Sequence, residues 1–232
     1  MKIYSITGCS SSGKNTVLDN LLIKNKKIIP IISVTSRPKR CGETEKDYKF
    51  VTYDEAKNML NNNEFIENRI YTVINEDGQE EQWIYGITKD SIDLNSNNTY
   101  IVIVDYKGRE ELRNYLKKNN KENSMVTLYL EVDYKTRIMR YLNRDNMTDN
   151  KVLECLRRFQ DDNKNVLPAK EDSDYVVSNM GNVDNVVNRI LDIMENYGID
   201  GTGEVQVYVC QNEECQCEAE FIRREWLKYA EF

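Results

Sequence analysis

Gly8-Cys9-Ser10-Ser11-Ser12-Gly13-Lys14-Asn15-Thr16 follows the apolar run Ile3-Tyr4-Ser5-Ile6-Thr7 and opens the helical-looking segment Val17-Leu18-Asp19-Asn20-Leu21-Leu22. A strand, a turn bracketed by glycines and closed by lysine, and a helix together make a phosphate-binding loop. Successive backbone N–H groups wrap the phosphate, the helix N-terminus points at it, and Lys14 adds a point charge. One position departs from the pattern. The residue after the lysine is ordinarily Ser or Thr, whose hydroxyl serves Mg²⁺, and here it is Asn15; Thr16 lies about 100° further round the helix and does not replace it.

The rest of the composition narrows what such a loop serves. At 232 residues the chain suits one well-buried domain with subdomains, or at most two small ones. No apolar run approaches the roughly 18 residues of a membrane span, and the N-terminus has neither a basic leader nor a cleavable apolar segment, so a cytoplasmic protein without a membrane partner is expected. A net charge of −7 argues against a nucleic-acid partner, which would need a basic face. Phosphate binding must then be local, and positive charge does cluster at Arg37, Lys39 and Arg40 and again at Arg137, Arg140 and Arg144. The chain has no histidine, which removes Ser-His-Asp and Cys-His hydrolysis and imidazole acid–base catalysis. Charge, positioning and carboxylates remain. Phosphoryl transfer to a phosphate fits them, because a phosphate oxygen is already anionic and needs no base.

Apolar, β-rich runs at 3–7, 28–34, 99–104, 126–132 and 175–177 alternate with helical stretches at 14–25, 108–118, 134–142, 151–163 and 183–197. That alternation predicts an α/β fold with a parallel central sheet between helical layers. Over 33–89 the pattern changes to short strands at 49–52, 64–73 and 82–88 around a helix at 53–60, with an Asp77-Gly78 turn, and predicts a small insertion containing antiparallel strands. After about residue 198 a Gly-rich linker leads into a tail over 199–232. The tail carries Cys210, Cys215 and Cys217, a hairpin about 211–214, and a segment that would align Ile222, Trp226 and Tyr229 if helical. The six cysteines read as free thiols or metal ligands, and three clustered thiols lack an evident fourth ligand for zinc.

Ser33-Val34-Thr35-Ser36-Arg37-Pro38-Lys39-Arg40-Cys41-Gly42-Glu43, followed by Lys46-Asp47-Tyr48-Lys49-Phe50-Val51, resembles the guanylate kinase family. Asn63-Glu64-Phe65-Ile66-Glu67, Tyr85-Gly86 and Val104-Asp105 with Gly108 keep the family's order, and the likeness covers residues 1–197. The resemblance implies a P-loop NTPase fold with an acceptor-nucleotide subdomain about 33–89 and a helical lid about 136–164. It implies transfer of the γ-phosphoryl group of ATP to GMP or dGMP, with Mg²⁺ arriving on ATP. A kinase for another nucleoside monophosphate and an inactive interaction module stand as alternatives.

On this likeness Gly8, Cys9, Ser10, Ser11, Ser12, Gly13, Lys14, Asn15 and Thr16 bind ATP. Ser33, Arg37, Arg40, Tyr48 and Tyr85 hold the acceptor phosphate, and two guanidiniums with hydroxyl donors do form a selective phosphate grip. Glu67 sits against the base, where its two oxygens match the N1–H and amino donors of guanine. Asp105 helps place the acceptor or the hydrated metal. Lys14, Arg140, Arg144 and Arg157 neutralise the transferring group, with Arg158 as the alternative to Arg157. The chain departs from the family at Ile103, where a second acid is common, and at Ile87, where a hydroxyl residue follows Tyr-Gly and Thr88 comes one place late; residues 72–83 lengthen the subdomain. Cys9 lies at a helix N-terminus, a position that tends to lower a thiol pKa, and is read as filling space.

Overall fold

In β1 (Lys2–Thr7) every residue after Lys2 is buried, the pattern of a strand covered on both faces. The computed structural model describes residues 1–40, 42–74, 80–144 and 147–196, and the backbone of two strands beyond them, Glu204–Tyr208 and Glu220–Arg223. After β1 come α1 (Lys14–Lys24), β2 (Ile28–Pro30), β3 (Val34–Thr35), β4 (Lys49–Phe50), α2 (Tyr53–Asn61), β5 (Phe65–Ile74), β6 (Glu80–Thr88) and β7 (Thr99–Ile103). Then follow α3 (Tyr106–Lys118), β8 (Met125–Glu131), α4 (Tyr134–Leu142), α5 (Asp149–Asn165), α6 (Pro168–Glu171), β9 (Tyr175–Ser178), α7 (Val183–Asn196), β10 (Glu204–Tyr208) and β11 (Glu220–Arg223).

The main sheet has the order β11-β10-β9-β8-β1-β7-β2. Its pairs β2–β7, β8–β9 and β9–β10 are parallel, as expected of strands joined through helices, and β10–β11 is antiparallel. A second sheet, β4-β3-β6-β5, is mixed: β3 runs parallel to β4 and antiparallel to β6.

By packing, the chain divides into two units. One comprises Met1–Ile3, Lys27–Val102 and Lys107–Met125; the other comprises Tyr4–Lys26, Ile103–Tyr106 and Val126–Phe232. In the first unit, Val34, Ala56, Phe65 and Ile84 form a core that Val51, Met59 and Leu60 complete. Its helix α2 starts on a capping box in which Thr52 and Glu55 satisfy each other's backbone N–H. In the second unit α7 buries Val186, Val187, Ile190 and Ile193, each contributing roughly 1.5–3 kcal/mol on leaving water.

The single strand expected over 28–34 is two strands in different sheets. β2 ends at Pro30, which has no N–H for a further ladder bond, and after Ile31 the chain leaves β7 to pair Val34 with Lys49 and Gly86. Ile222, read as one position of a helical stripe, lies in β11 opposite Val205. The Asp77-Gly78 turn, Cys41, the linker residues 198–203, Cys210, Cys215 and Cys217 with the hairpin 211–214, and Trp226 and Tyr229 lie outside the described residues.

Candidate active site

The phosphate loop lies within the second unit, between β1 and α1. Both of its glycines are required by their surroundings. A Cβ on Gly8 would stand 2.8 Å from the Leu130 carbonyl oxygen, and Gly13, at φ 87°, would place one 2.7 Å from Asn179 Nδ2. Gly13 caps α1 with no side-chain hydrogen bond, and the helix has no acid in its first turn, so its N-terminus is left to an anion. Ser12 Oγ is buried against Gly8 and has no hydrogen-bond partner, a polar atom of the loop left unsatisfied. Lys14 Nζ bends back to the carbonyls of Gly8 at 2.7 Å and Cys9 at 3.0 Å. Loss of water round this ammonium lowers its pKa to about 8, with the Asp162 carboxylate opposing the change.

Two of the expected arginines reach the loop. Arg140 lies in the last turn of α4, and Arg144 follows just past the helix end at Leu142. Arg140 Nη2 donates to the Asn179 carbonyl at 2.8 Å, and Arg144 Nη2 to Ser11 Oγ at 3.3 Å. Arg157 instead has a side chain 64% exposed and directed to Glu154, whose carboxyl it holds at about 2. Arg158 also bonds Glu154, and of the two it is the one whose charge bears on Lys14.

Sequence reasoning missed Asp162 here and gave Arg137 only as one of a basic cluster. Arg137 and Asp162 are 1% and 4% exposed and form an ion pair beside Ser10. Arg137 lies at helical spacing with Tyr134 and Tyr141, a signal that was available, but an arginine there reads as surface charge. Cys9 packs with Tyr129, Ala169 and Val176, which bears out a space-filling role. Its thiol pKa is raised, not lowered: burial outweighs the hydrogen bond with Tyr129 and the charge of Arg137.

The acceptor-side residues belong to the first unit. Arg37 is buried and donates from Nη1 and Nη2 to the Glu43 carboxylate at 2.8 and 2.7 Å, which pulls that carboxyl down to about 2. Its guanidinium faces the ring of Tyr48 at 5.4 Å and that of Phe50 at 5.7 Å. Thr35, buried and not anticipated, accepts the Arg37 N–H at 3.2 Å and sets where the arginine begins. Arg40 is exposed, its N–H donating to Glu43 at 2.8 Å, and Ser33 is tied by its carbonyl to the Lys49 N–H at 3.0 Å.

Tyr85 is ring-packed against Tyr48 at 5.9 Å and against Tyr71, which the sequence did not single out, at 5.5 Å. Register places Glu67 opposite Ile87, Arg69 opposite Tyr85 and Tyr71 opposite Trp83, so alternation gives all six one sheet face. An irregularity between Phe65 and Glu67 aims Glu67 onto that face. Gly86 makes the irregularity possible, since a Cβ there would lie 2.4 Å from the Glu67 carbonyl oxygen.

No group of three or more His, Cys, Asp or Glu side chains among the described residues is arranged to hold a metal ion. Asn15 and Thr16 are exposed oxygen donors at the start of α1. Exposed Asp105 follows Val104, whose N–H donates to the Ile6 carbonyl and whose carbonyl accepts from Thr7 Oγ1, both at 3.2 Å. This hard, sparse donor set fits Mg²⁺ carried largely by nucleotide phosphates and water.

A strand–loop–helix phosphate cradle with Arg140 and Arg144 beside it, in an α/β fold with a parallel central sheet, defines a P-loop nucleotide-binding protein. The chain belongs to the guanylate kinase family, whose family model, Guanylate kinase, matches residues 1–197. A guanylate kinase of Blochmanniella floridana is 39% identical over 125 residues, 49% of this chain and 55% of the relative. Guanylate kinase 2, chloroplastic/mitochondrial, of Oryza sativa subsp. japonica is 28% identical over 197 residues, covering 83% of this chain and 63% of that protein. The chain spans about half the length of the curated relatives it matches. The crystal structure of guanylate kinase from Anaplasma phagocytophilum shares the fold, with a TM-score of 0.58 at 22% identity over 85% of this chain and 86% of that one.

Proposed function

We propose that this protein is an ATP-dependent kinase that passes the γ-phosphoryl group of ATP to the phosphate of GMP or dGMP, giving ADP and GDP or dGDP. The observation that carries the reading is the face of β5 and β6, where a carboxylate suited to guanine's paired donors, Glu67, stands with Tyr85. Arg37, Arg40, Tyr48, Tyr85 and Ser33 hold the acceptor phosphate. The loop from Gly8 to Thr16 binds the donor phosphates, and Asp105 helps to place the acceptor or the hydrated metal.

Lys14, Arg140, Arg144 and Arg158, the last in place of Arg157, neutralise charge on the moving phosphoryl group. Bound Mg²⁺, delivered with ATP, supplies further neutralisation of the phosphates. The acceptor oxygen is anionic and gives up no proton, which suits a chain without histidine. No helix among the described residues is long and apolar enough to cross a membrane, and the proposal places the enzyme in the cytoplasm.

An ADP-release assay over a panel of nucleoside monophosphates tests this. Turnover with GMP and dGMP above all others is expected. Preference for another base would overturn the role of Glu67, and no turnover with any acceptor would overturn the kinase itself.

A further inference from the structure

We propose that Arg137 and Asp162 are positioning residues for the donor nucleotide: as a buried pair they grip Ser10 and hold the loop in the shape its phosphate cradle needs. The inference rests on the kinase reading above. Arg137 Nε donates to the Ser10 carbonyl at 2.9 Å. Asp162 Oδ2 accepts the Ser10 N–H at 2.8 Å, and Oδ1 accepts the Ser10 hydroxyl at 3.2 Å. Arg137 Nη2 closes the ring by donating to Asp162 Oδ2. Every polar atom of one loop residue is thereby held, one partner coming from α4 and the other from α5.

The next residue explains why such a grip is needed. Ser11 has φ 62°, a left-handed backbone that a residue with a Cβ keeps only when its surroundings over-determine it. Ser10 is fixed before it. Ser12 is fixed after it, through its N–H to the Cys9 carbonyl at 3.2 Å and its carbonyl to Asn179 Nδ2 at 2.7 Å. With both flanks held, the amides that follow do not swing away from the phosphate.

Arg137 is not a further charge for the phosphoryl group. Its Nε and Nη2 are taken, and the rings of Phe159 at 4.2 Å and Tyr134 at 5.1 Å cover the guanidinium. Nor is stability a sufficient reason for the pair, because well-packed apolar residues commonly replace a buried ion pair at no cost.

That difference provides the test. ATP and GMP are varied separately in steady-state assays of the parent enzyme, Asp162→Ala, Asp162→Asn and the double variant Arg137→Leu/Asp162→Leu, with thermal melts of each. Asp162→Ala is expected to raise KM for ATP about ten- to hundredfold and leave KM for GMP near the parent value. Asp162→Asn, which keeps an oxygen for the Ser10 N–H, is expected to recover most of that loss. The double variant, which leaves no buried charge unpaired, is expected to melt closer to the parent than Asp162→Ala does and still show the raised KM for ATP. A well-folded double variant with the parent KM for ATP would overturn the proposal, and so would equal KM values in Asp162→Ala and Asp162→Asn. Calorimetric titration of the same proteins with ATP alone gives the same comparison without turnover, so failure of the kinase reading and failure of the grip are told apart.

Discussion

Glu67 and Arg69 share one face of β5, with Arg69 Nη1 3.7 Å from Glu67 Oε2 and 3.2 Å from each carboxylate oxygen of Glu111. Glu67 is 8% exposed, so the neighbouring guanidinium offsets part of the cost of burying its charge. Hydrogen bonds to a charged group are worth about 1.5–3 kcal/mol, so Glu67→Gln is expected to raise KM for GMP by about ten- to hundredfold. KM for ATP should stay where it is. A Glu67→Gln enzyme with unchanged KM for GMP would show that the base is read elsewhere.

Lys14 gives the stability of the fold a definite slope with pH. Its pKa falls from 10.5 to about 8 in the native state, chiefly through burial. Between those values the unfolded chain binds a proton that the native protein does not, so this group's contribution rises with pH through the window, and below it the native state carries a buried charge at a cost. Lys14→Met is therefore expected to melt a few degrees higher at pH 7, to lose the slope between pH 8 and 10.5, and to turn over at least about a hundredfold more slowly. Melts at pH 7 and at pH 9.5 decide it; an unchanged slope would mean that Lys14 titrates as an exposed lysine.

Gly86→Ala forces a methyl group against the Glu67 carbonyl and the Phe65 ring, 2.4 and 2.5 Å away. Overpacking of this kind costs about 1–3 kcal/mol, and β5 must yield at the residue that carries Glu67. The expected result is a lower denaturant midpoint together with a raised KM for GMP. A destabilised variant with the parent KM would separate the packing of Gly86 from the placing of Glu67.

Asn15→Ser restores a hydroxyl at the start of α1. The Mg²⁺ concentration for half-maximal turnover is expected to fall several-fold at fixed ATP, and chelation should abolish turnover in both proteins. Equal Mg²⁺ requirements would show that Asn15 takes no part in handling the metal.

The elements that position the loop were legible because their signals are local. β1 and α1 announce themselves by an apolar run, two glycines and helical spacing, and α4 falls on the bounds that its pattern predicts. What stayed hidden depends on contacts between distant segments. The exchange of sheets after Pro30 follows from the partners waiting at Lys49 and Gly86, which no window over 28–34 contains. α4 inverts the usual rule, burying Arg137 while Ile138, Met139 and Leu142 stay exposed, so hydrophobic pattern alone turns its functional face outward. The thiol of Cys9 was misjudged for a related reason: proximity to a helix N-terminus is visible in sequence, and enclosure by Tyr129, Ala169 and Val176 is not.

The grip on Ser10 also sets an order of assembly. Its partners lie 127 and 152 residues further along the chain. A ribosome releases the N-terminus first, so β1 and α1 emerge while neither Arg137 nor Asp162 yet exists, and closing so long a loop is slow. The hold on Ser10 therefore waits for residues made long after the loop itself. The ring round Ser10 closes only when α5 has been made.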